Sequence, residues 1–380
     1  MSGTGSNARA EALVREIFAS AGVGVEGKAK GDILVKNPAF YGRLLREASI
    51  GLGESYMDEW WECDELDLFI EKLLRADIKK KIAGSWQLKL LTVQAYVTNM
   101  QSRARAKQIA EKHYDLGNDL YKVMLDERLV YTCGYWKDAT TLAQAQEHKL
   151  DLLCRKAHLK PGMRVLDIGC GFGGFAIYAA QKYGCEVVGV TVSVEQQRLA
   201  QEKVKAARVP VEVRLQDYRA VHGQFDAVVS VGMFEHVGWR NYRSFMEVAH
   251  RCLKKEGTVV LHTVGSNEHQ THGIPFFEKH LFPNSASPSL AQLGNAMENL
   301  FVLEDIHNIG PDYGPTLLAW WKNFEEGYPT LDQKRYDRRF WRMWRFYLHA
   351  AAGAVAARES QLWQLVMSPV GRAQGQVRFS

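Results

Sequence analysis

From Arg164 onward, short apolar runs alternate with longer segments whose apolar positions recur at helical spacing. RVLDIG, EVVGVTVS, VEVRLQD, FDAVVSVG and GTVVLHTV read as strands, while FAIYAAQKY, VEQQRLAQEKVKAA and YRSFMEVAHRCL read as helices. This alternation predicts an α/β fold with a doubly wound, mostly parallel sheet, whose ligands bind beyond the carboxyl ends of the strands. Upstream, Leu13, Val14, Ile17 and Phe18 recur at helical spacing over 8–21, and 33–35 reads as a short strand. Leu66, Phe69, Ile70, Leu73 and Leu74 form a second helical stripe. The expected organisation is a small N-terminal module over 1–76, a basic helix-favouring connector over 77–110, and a large domain over 111–380.

At 380 residues, 46% hydrophobic and 24% charged, the chain can bury a sizeable core and is not disordered throughout. No apolar run is long enough to cross a bilayer and no apolar leader precedes a cleavage site, so a cytoplasmic location is expected. Cys63, Cys133, Cys154, Cys170, Cys185 and Cys252 are scattered without ligand-like spacing, so neither disulfides nor a metal are expected. The formal charge of +5 is modest, and no nucleic-acid partner is expected. On a helix over 334–347, Arg335, Arg338, Arg342 and Arg345 share one face, roughly opposite Tyr336, Phe340, Met343, Trp344 and Tyr347. Two readings are open for that face: a solvated surface backed by core aromatics, or a surface attracted to anionic lipid headgroups.

VLDIGCGFGG (165–174) is a strand feeding a glycine turn and then a helix. Its glycines permit a tight turn and close approach of a ligand to the backbone, and helix-start amides favour a carboxylate or phosphate. A nicotinamide site or a purely structural turn would use the same pattern. Three features favour S-adenosylmethionine (SAM). Asp167 stands two residues before Gly169, placed to meet the amino-acid end of SAM through water; Gly171 follows in the turn. The third strand ends in Gln216 and Asp217, suited to the adenine edge, and no pyrophosphate partner is evident. Many SAM enzymes carry an acidic residue at the end of the second strand for the ribose; here Thr191, Ser193 or Gln196 has to substitute.

After the fourth strand, SVGMFEHVG sets Glu235 and His236 over the sheet crevice, and His262 falls near the end of the fifth. These residues belong to a wider pattern. YTCGYW (131–136), FEHVG, LHTVGS (261–266) and the pair Asp312 and Tyr313 resemble the cyclopropane fatty acid synthase family, as do GLGESYMDEWWECD, EKHYDLGNDLY and QLWQ. The resemblance extends over nearly the whole chain. It implies an enzyme that transfers a SAM methyl group to a cis double bond in a phospholipid acyl chain, forming a cation that closes to a cyclopropane when the new methyl loses a proton. Members of the family hold a bicarbonate ion as the base. By motif match its cradle here would be Cys133, Glu235, His262, Tyr313 and the backbone amide of Val264. Tyr131 and Thr132 would lie beside SAM, with Val231 beneath its methionine part. Many members have a cysteine in the segment that here reads LHAAAGA, so no thiol role is expected there.

A cation of that kind needs a dry pocket. Trp239, Phe276, Phe277, Phe282, Trp320, Trp321 and Phe324 are candidate walls, each equally readable as core. The long N-terminal module sets the chain apart from the related mycolic acid enzymes, which points to whole phospholipids as substrate. An acyl target below the headgroups, with no spanning helix, points to peripheral work on the inner membrane face, with Trp60, Trp61 and Phe69 equally readable as insertion residues or as core. Related enzymes commonly dimerise, which makes a homodimer an expectation. Competing readings are a methyltransferase that makes a branched methyl lipid or methylates a small amine, and a lipid-binding regulator without catalysis.

Overall fold

A computed structural model describes residues 3–78 and 117–371 of the chain. The basic connector expected over 77–110 lies almost wholly outside the described residues. Two compact units are formed, each from several stretches of sequence.

The first unit gathers Met1–Val123, Gly273–Pro283 and Leu317–Glu359. Its N-terminal part holds helices Gly3–Ala19, Ala39–Met57 and Leu66–Arg75, with strands β1 (Leu34–Val35) and β2 (Trp61–Glu62) paired antiparallel. The stripe Leu66, Phe69 and Ile70 is buried, each side chain contributing roughly 1.5–3 kcal/mol. Trp61 packs on Phe40, Tyr56 and Phe69, so Trp61 and Phe69 are core rather than membrane-inserting residues. Helix Arg338–Ala356 lies against helix Leu66–Arg75, where Gly353 is required: a Cβ there would run into the carbonyl oxygen of Asp67. Of the candidate tunnel walls, Phe276, Phe277, Phe282, Trp320, Trp321 and Phe324 belong to this unit and Trp239 to the other. Phe276, Trp320 and Phe324 are buried, with Phe276 edge-on to Phe346 at 4.9 Å.

The arginine face predicted over 334–347 is corrected here. The helix starts only at Arg338, capped by the Asp337 carboxylate, which accepts from the Phe340 N–H at 2.8 Å. Arg342 is buried: its Nε donates to the Tyr56 carbonyl at 2.5 Å, Nη1 to Glu62 at 3.1 Å, and its guanidinium sits 3.9 Å above the Tyr56 ring. Arg345 is tied to the Tyr56 hydroxyl at 2.8 Å. Helical spacing grouped these side chains correctly, but the neighbouring helix Ala39–Met57 covers part of the face. Arg338 and Arg339 stay exposed, paired with Glu59 and Asp58.

The second unit comprises Met124–His272, Asn284–Thr316 and Ser360–Ser380. Seven strands form its sheet: β3 (Arg164–Ile168), β4 (Glu186–Thr191), β5 (Val211–Leu215), β6 (Phe225–Val231), β7 (Leu253–Ser266), β8 (Val302–Asn308) and β9 (Ser360–Ser368). Their order is β5-β4-β3-β6-β7-β9-β8; the first five run parallel, and β9, antiparallel to both β7 and β8, alone runs against the others. The mostly parallel, doubly wound α/β sheet expected from the alternation is what forms. One face packs on helices Leu142–Lys156 and Gly174–Tyr183 through Leu150, Leu153, Phe175 and Ala179. The other packs on helices Tyr242–Cys252 and Leu290–Met297 through Phe245, Met246 and Leu293. Strand order reverses at β3, so the crevice at its carboxyl end, beside that of β6, is where such a sheet binds its ligand.

Candidate active site

The turn after β3 puts Gly169, Gly171 and Gly173 at φ +82°, +52° and +79°, a region that excludes most side chains. The amides of Gly169 and Cys170 both donate to the Val190 carbonyl at 3.0 Å, which fixes the turn against β4. A Cβ at Gly169 would strike the Met233 side chain, whereas one at Gly171 would meet nothing within 4 Å, so the turn borders open space at Gly171. Strand alternation puts Asp167 on the same face as Val165, toward helix Leu142–Lys156. It is buried, its Oδ2 has no hydrogen-bond partner among the described residues, and burial pushes its pKa up to about 7 against the pull of Lys149.

Around this turn the other expected cofactor residues are laid out by the strand ends. Val231 closes β6, level with His262 on β7. At the end of β4 the Thr191 hydroxyl donates to Gln196 Oε1 at 2.8 Å, and the Ser193 hydroxyl accepts from the Gln196 amide at 3.3 Å, capping helix Val194–Ala207. These polar groups stand at the β4 end, where the sequence leads to the expectation of a ribose contact. At the end of β5, Gln216 donates to the Ala220 carbonyl at 2.8 Å. The Asp217 carboxylate accepts from the backbone and side chain of Arg219, which hold its pKa below the usual range. Thr132, after Tyr131, is gripped from helix Leu142–Lys156: Lys149 Nζ donates to its hydroxyl at 2.9 Å and Gln146 Nε2 to its carbonyl at 2.8 Å.

Of the expected reacting groups, Glu235 follows β6, and His262 and Val264 lie near the end of β7. Glu235, on a short turn after β6, is buried; its Oε1 accepts from the Val264 N–H at 2.6 Å, and its Oε2 has no partner among the described residues. Burial pushes its pKa up to about 7. The Val264 amide, expected to face an anion, is thus engaged by Glu235. His262 is buried and its pKa is held well below the ordinary value by burial and by the charges of Lys149 and Lys156, so the ring is neutral. The Gln364 amide nitrogen contacts His262 Nδ1 at 3.3 Å. With the amide nitrogen turned toward it, Nδ1 accepts and the ring proton is on Nε2, which has no partner among the described residues.

Cys133, Ile309 and Leu362 form a small buried cluster against which Tyr135, Val264 and Tyr313 pack. Thr316 assembles it: its hydroxyl oxygen accepts from the Gly134 amide at 3.1 Å and from the Trp136 indole at 2.8 Å, while donating to the Asp312 carbonyl at 2.8 Å. This binds YTCGYW to the pair Asp312 and Tyr313. The Cys133 thiol donates to the Gly134 carbonyl at 3.0 Å and is pushed up by burial, so it is a neutral donor and not a thiolate. Lys149, Gln146 and Thr316 escaped the sequence reading, and Gln364 stood in the QLWQ motif without a role. A signal existed for two of them: Lys149 shares a helical stripe with Ala145, Leu152 and Leu153, and Gln364 alternates with Leu362 and Val366 on a buried strand face. Among the described residues no cluster suited to a metal occurs, and all six cysteines are free and buried.

Residues 101–365 match the protein family described as mycolic acid cyclopropane synthetase. The chain is 49% identical over 356 residues to the cyclopropane-fatty-acyl-phospholipid synthase of Escherichia coli, across 94% of this chain and 92% of that one. It is 33% identical to a tuberculostearic acid methyltransferase of Mycobacterium tuberculosis, across 80% of this chain and 75% of that one. Among solved structures, a cyclopropane synthase from Mycobacterium tuberculosis matches with a TM-score of 0.61 at 27% identity, across 68% of this chain and 97% of that one. A mycolic acid cyclopropane synthase complexed with SAH and CTAB matches with a TM-score of 0.61 at 29% identity, over the same shares, 68% and 97%.

Proposed function

The chain belongs to the mycolic acid cyclopropane synthetase family of SAM-dependent lipid enzymes, and from that membership we propose that it converts the cis double bond of an unsaturated phospholipid acyl chain into a cyclopropane. A phospholipid is favoured over a carrier-bound chain because the match to a relative named for acting on phospholipid takes in 94% of the chain, first unit included. The observation that carries the mechanism is the pair of buried, half-satisfied groups Glu235 and His262, each with one polar atom unpartnered among the described residues.

The residues fit SAM: the open edge at Gly171 admits a ligand against the backbone, and the orphaned Asp167 Oδ2 suits an ammonium group or its water. Thr191, Ser193 and Gln196 would take the ribose, Gln216 and Asp217 the adenine edge, and Tyr131, Thr132 and Val231 the methionine end. SAM supplies the electrophilic methyl group. The residues also fit bicarbonate, which would supply the base that a methylated chain needs. Neutral His262 offers an Nε2–H, Glu235 titrates near neutrality and offers a proton or accepts one, and the neutral Cys133 thiol and the Tyr313 ring pack alongside. Without a partner those polar atoms are costly to bury, and a small planar anion satisfies both. The aromatic face of Tyr313 further suits a cationic chain, and exclusion of water protects that chain from capture as an alcohol.

Residues 1–76 are proposed as the lipid-associated module and the basic 77–110 segment as the connector to the catalytic domain, in a protein docked peripherally on the cytoplasmic membrane face, as a homodimer. No helix among the described residues is long and apolar enough to cross a membrane. The test incubates the purified protein with labelled SAM and vesicles of unsaturated phospholipid, with and without bicarbonate depletion. Expected are ring-type proton resonances on the product lipid and slower turnover on depletion. A branched methyl product, label in the headgroup, or no label in lipid would each overturn the reading in favour of the competing methyltransferase or regulator.

A further inference from the structure

Lys149 has no exposed surface, and among the described residues its Nζ has one hydrogen-bond partner, the Thr132 hydroxyl at 2.9 Å. A buried ammonium is expensive unless an anion faces it. The carboxylates nearest in electrostatic terms are Asp126 and Asp167. Asp126 is spent on its own turn, accepting from the amides of Arg128 at 3.1 Å and Val130 at 2.9 Å. Asp167 keeps Oδ2 unpartnered. An ammonium and a carboxyl are therefore held in the dry interior, the carboxyl two residues before Gly169, and neither one is satisfied by the other through a hydrogen bond.

Building on the SAM reading above, we propose that Lys149 is the positioning residue for the carboxylate of the cofactor's amino-acid end, acting through Thr132 while Asp167 serves the ammonium of the same zwitterion. Lys149 has no lone pair, so in their hydrogen bond Thr132 must accept. That leaves the hydroxyl proton of Thr132 to donate elsewhere, and a cation bound to the oxygen makes it a stronger donor. Gln146, one turn earlier on helix Leu142–Lys156, holds the Thr132 carbonyl at 2.8 Å, and a Cβ on Gly232 would collide with the Thr132 methyl, so the residue has little room to turn. The lysine thus orients a hydroxyl and supplies the charge behind it, and the buried ammonium and carboxyl together match the two polar ends of an α-amino acid.

The test compares two ligands by calorimetry on the full-length protein: S-adenosylhomocysteine, which carries the amino-acid end, and methylthioadenosine, which lacks it. Lys149→Met, a near-isostere without charge, is expected to weaken S-adenosylhomocysteine roughly ten- to hundredfold, the range for a lost hydrogen bond to a charged group. Methylthioadenosine affinity is expected to stay unchanged. Thr132→Val should show the same ligand-selective loss, and the double variant should lose no more than the larger single loss. Equal losses for both ligands would mark Lys149 as merely structural, and no loss for either would also overturn the assignment. A parent protein that binds neither ligand would remove the SAM site itself, and this inference with it.

Discussion

The side-chain amide of Gln364 meets Nδ1 of His262 at 3.3 Å, across two antiparallel strands whose register sets those residues directly opposite one another. The contact decides which ring nitrogen carries the proton, and so whether His262 presents a donor or an acceptor to the reacting centre. Gln364→Leu is expected to release that choice. Turnover on unsaturated vesicles should fall by about 10- to 100-fold, with the far-ultraviolet dichroism spectrum unchanged. Full activity in the variant would mean the tautomer is set by something else.

Glu235 has a pKa raised to about 7 from an ordinary value of 4.5, because burial penalises its charged form. The folded protein therefore holds this proton more tightly than the unfolded chain. The neutral carboxyl is tolerated in full below about pH 4.5, and the cost of ionisation grows as pH rises until it is complete above about pH 7, reaching about 3 kcal/mol. Glu235→Gln keeps an oxygen for the Val264 amide and removes the titration. Relative to the parent, its melting temperature should rise between pH 5 and pH 8. A pH-independent difference would contradict the burial assigned here. Its turnover should drop by about 10² to 10⁴ with SAM affinity retained.

The two glycines of the turn should respond differently to a methyl group. At Gly171 the added Cβ points into open space, so Gly171→Ala should weaken SAM binding at a folding cost of only about 1–2 kcal/mol for the left-handed backbone. At Gly169 the same methyl would strike Met233, so Gly169→Ala should lower the melting temperature more than Gly171→Ala does. Calorimetry with SAM and thermal melts on both variants give the comparison, and the reverse order of stabilities would be inconsistent with this turn.

Charge reversal along helix Arg338–Ala356 separates folding from docking. Arg342→Met strips the guanidinium donors from the buried carbonyls of Tyr56 and Trp61, while Glu62 keeps Lys36, and should cost on the order of 1–3 kcal/mol for each acceptor left unsatisfied. Arg338→Glu, at an exposed position, should leave the melting temperature nearly unchanged. If exposed arginines dock the protein on anionic lipid, Arg338→Glu with Arg339→Glu should weaken vesicle co-sedimentation, and added salt should weaken that of the parent. Binding that is indifferent to both would assign docking to another surface.

Local pattern was sufficient for the five parallel strands of the second unit and three of its helices, because a strand buried on both faces and an amphipathic helix each write their period into the chain, whereas β8, β9 and the helices Leu142–Lys156 and Leu290–Met297 were not read from it. Contiguous motifs also carried their own placement: the glycine turn with Asp167 after β3, the FEHVG turn with Glu235 after β6, and His262 near the end of β7. Tertiary structure alone decided the rest. Arg342 shares a helical face with Arg338, yet one is buried and the other exposed, because burial depends on a helix nearly 300 residues earlier in the chain. Val264 was expected to offer its amide to an anion, and the folded chain gives that amide to Glu235. Lys149 and Gln364 gain their roles only when the fold brings one to Thr132 and the other to His262. Periodicity records which face a side chain takes, since that is a property of the local backbone; which atom it meets depends on contacts between segments far apart in sequence, and no local pattern encodes those.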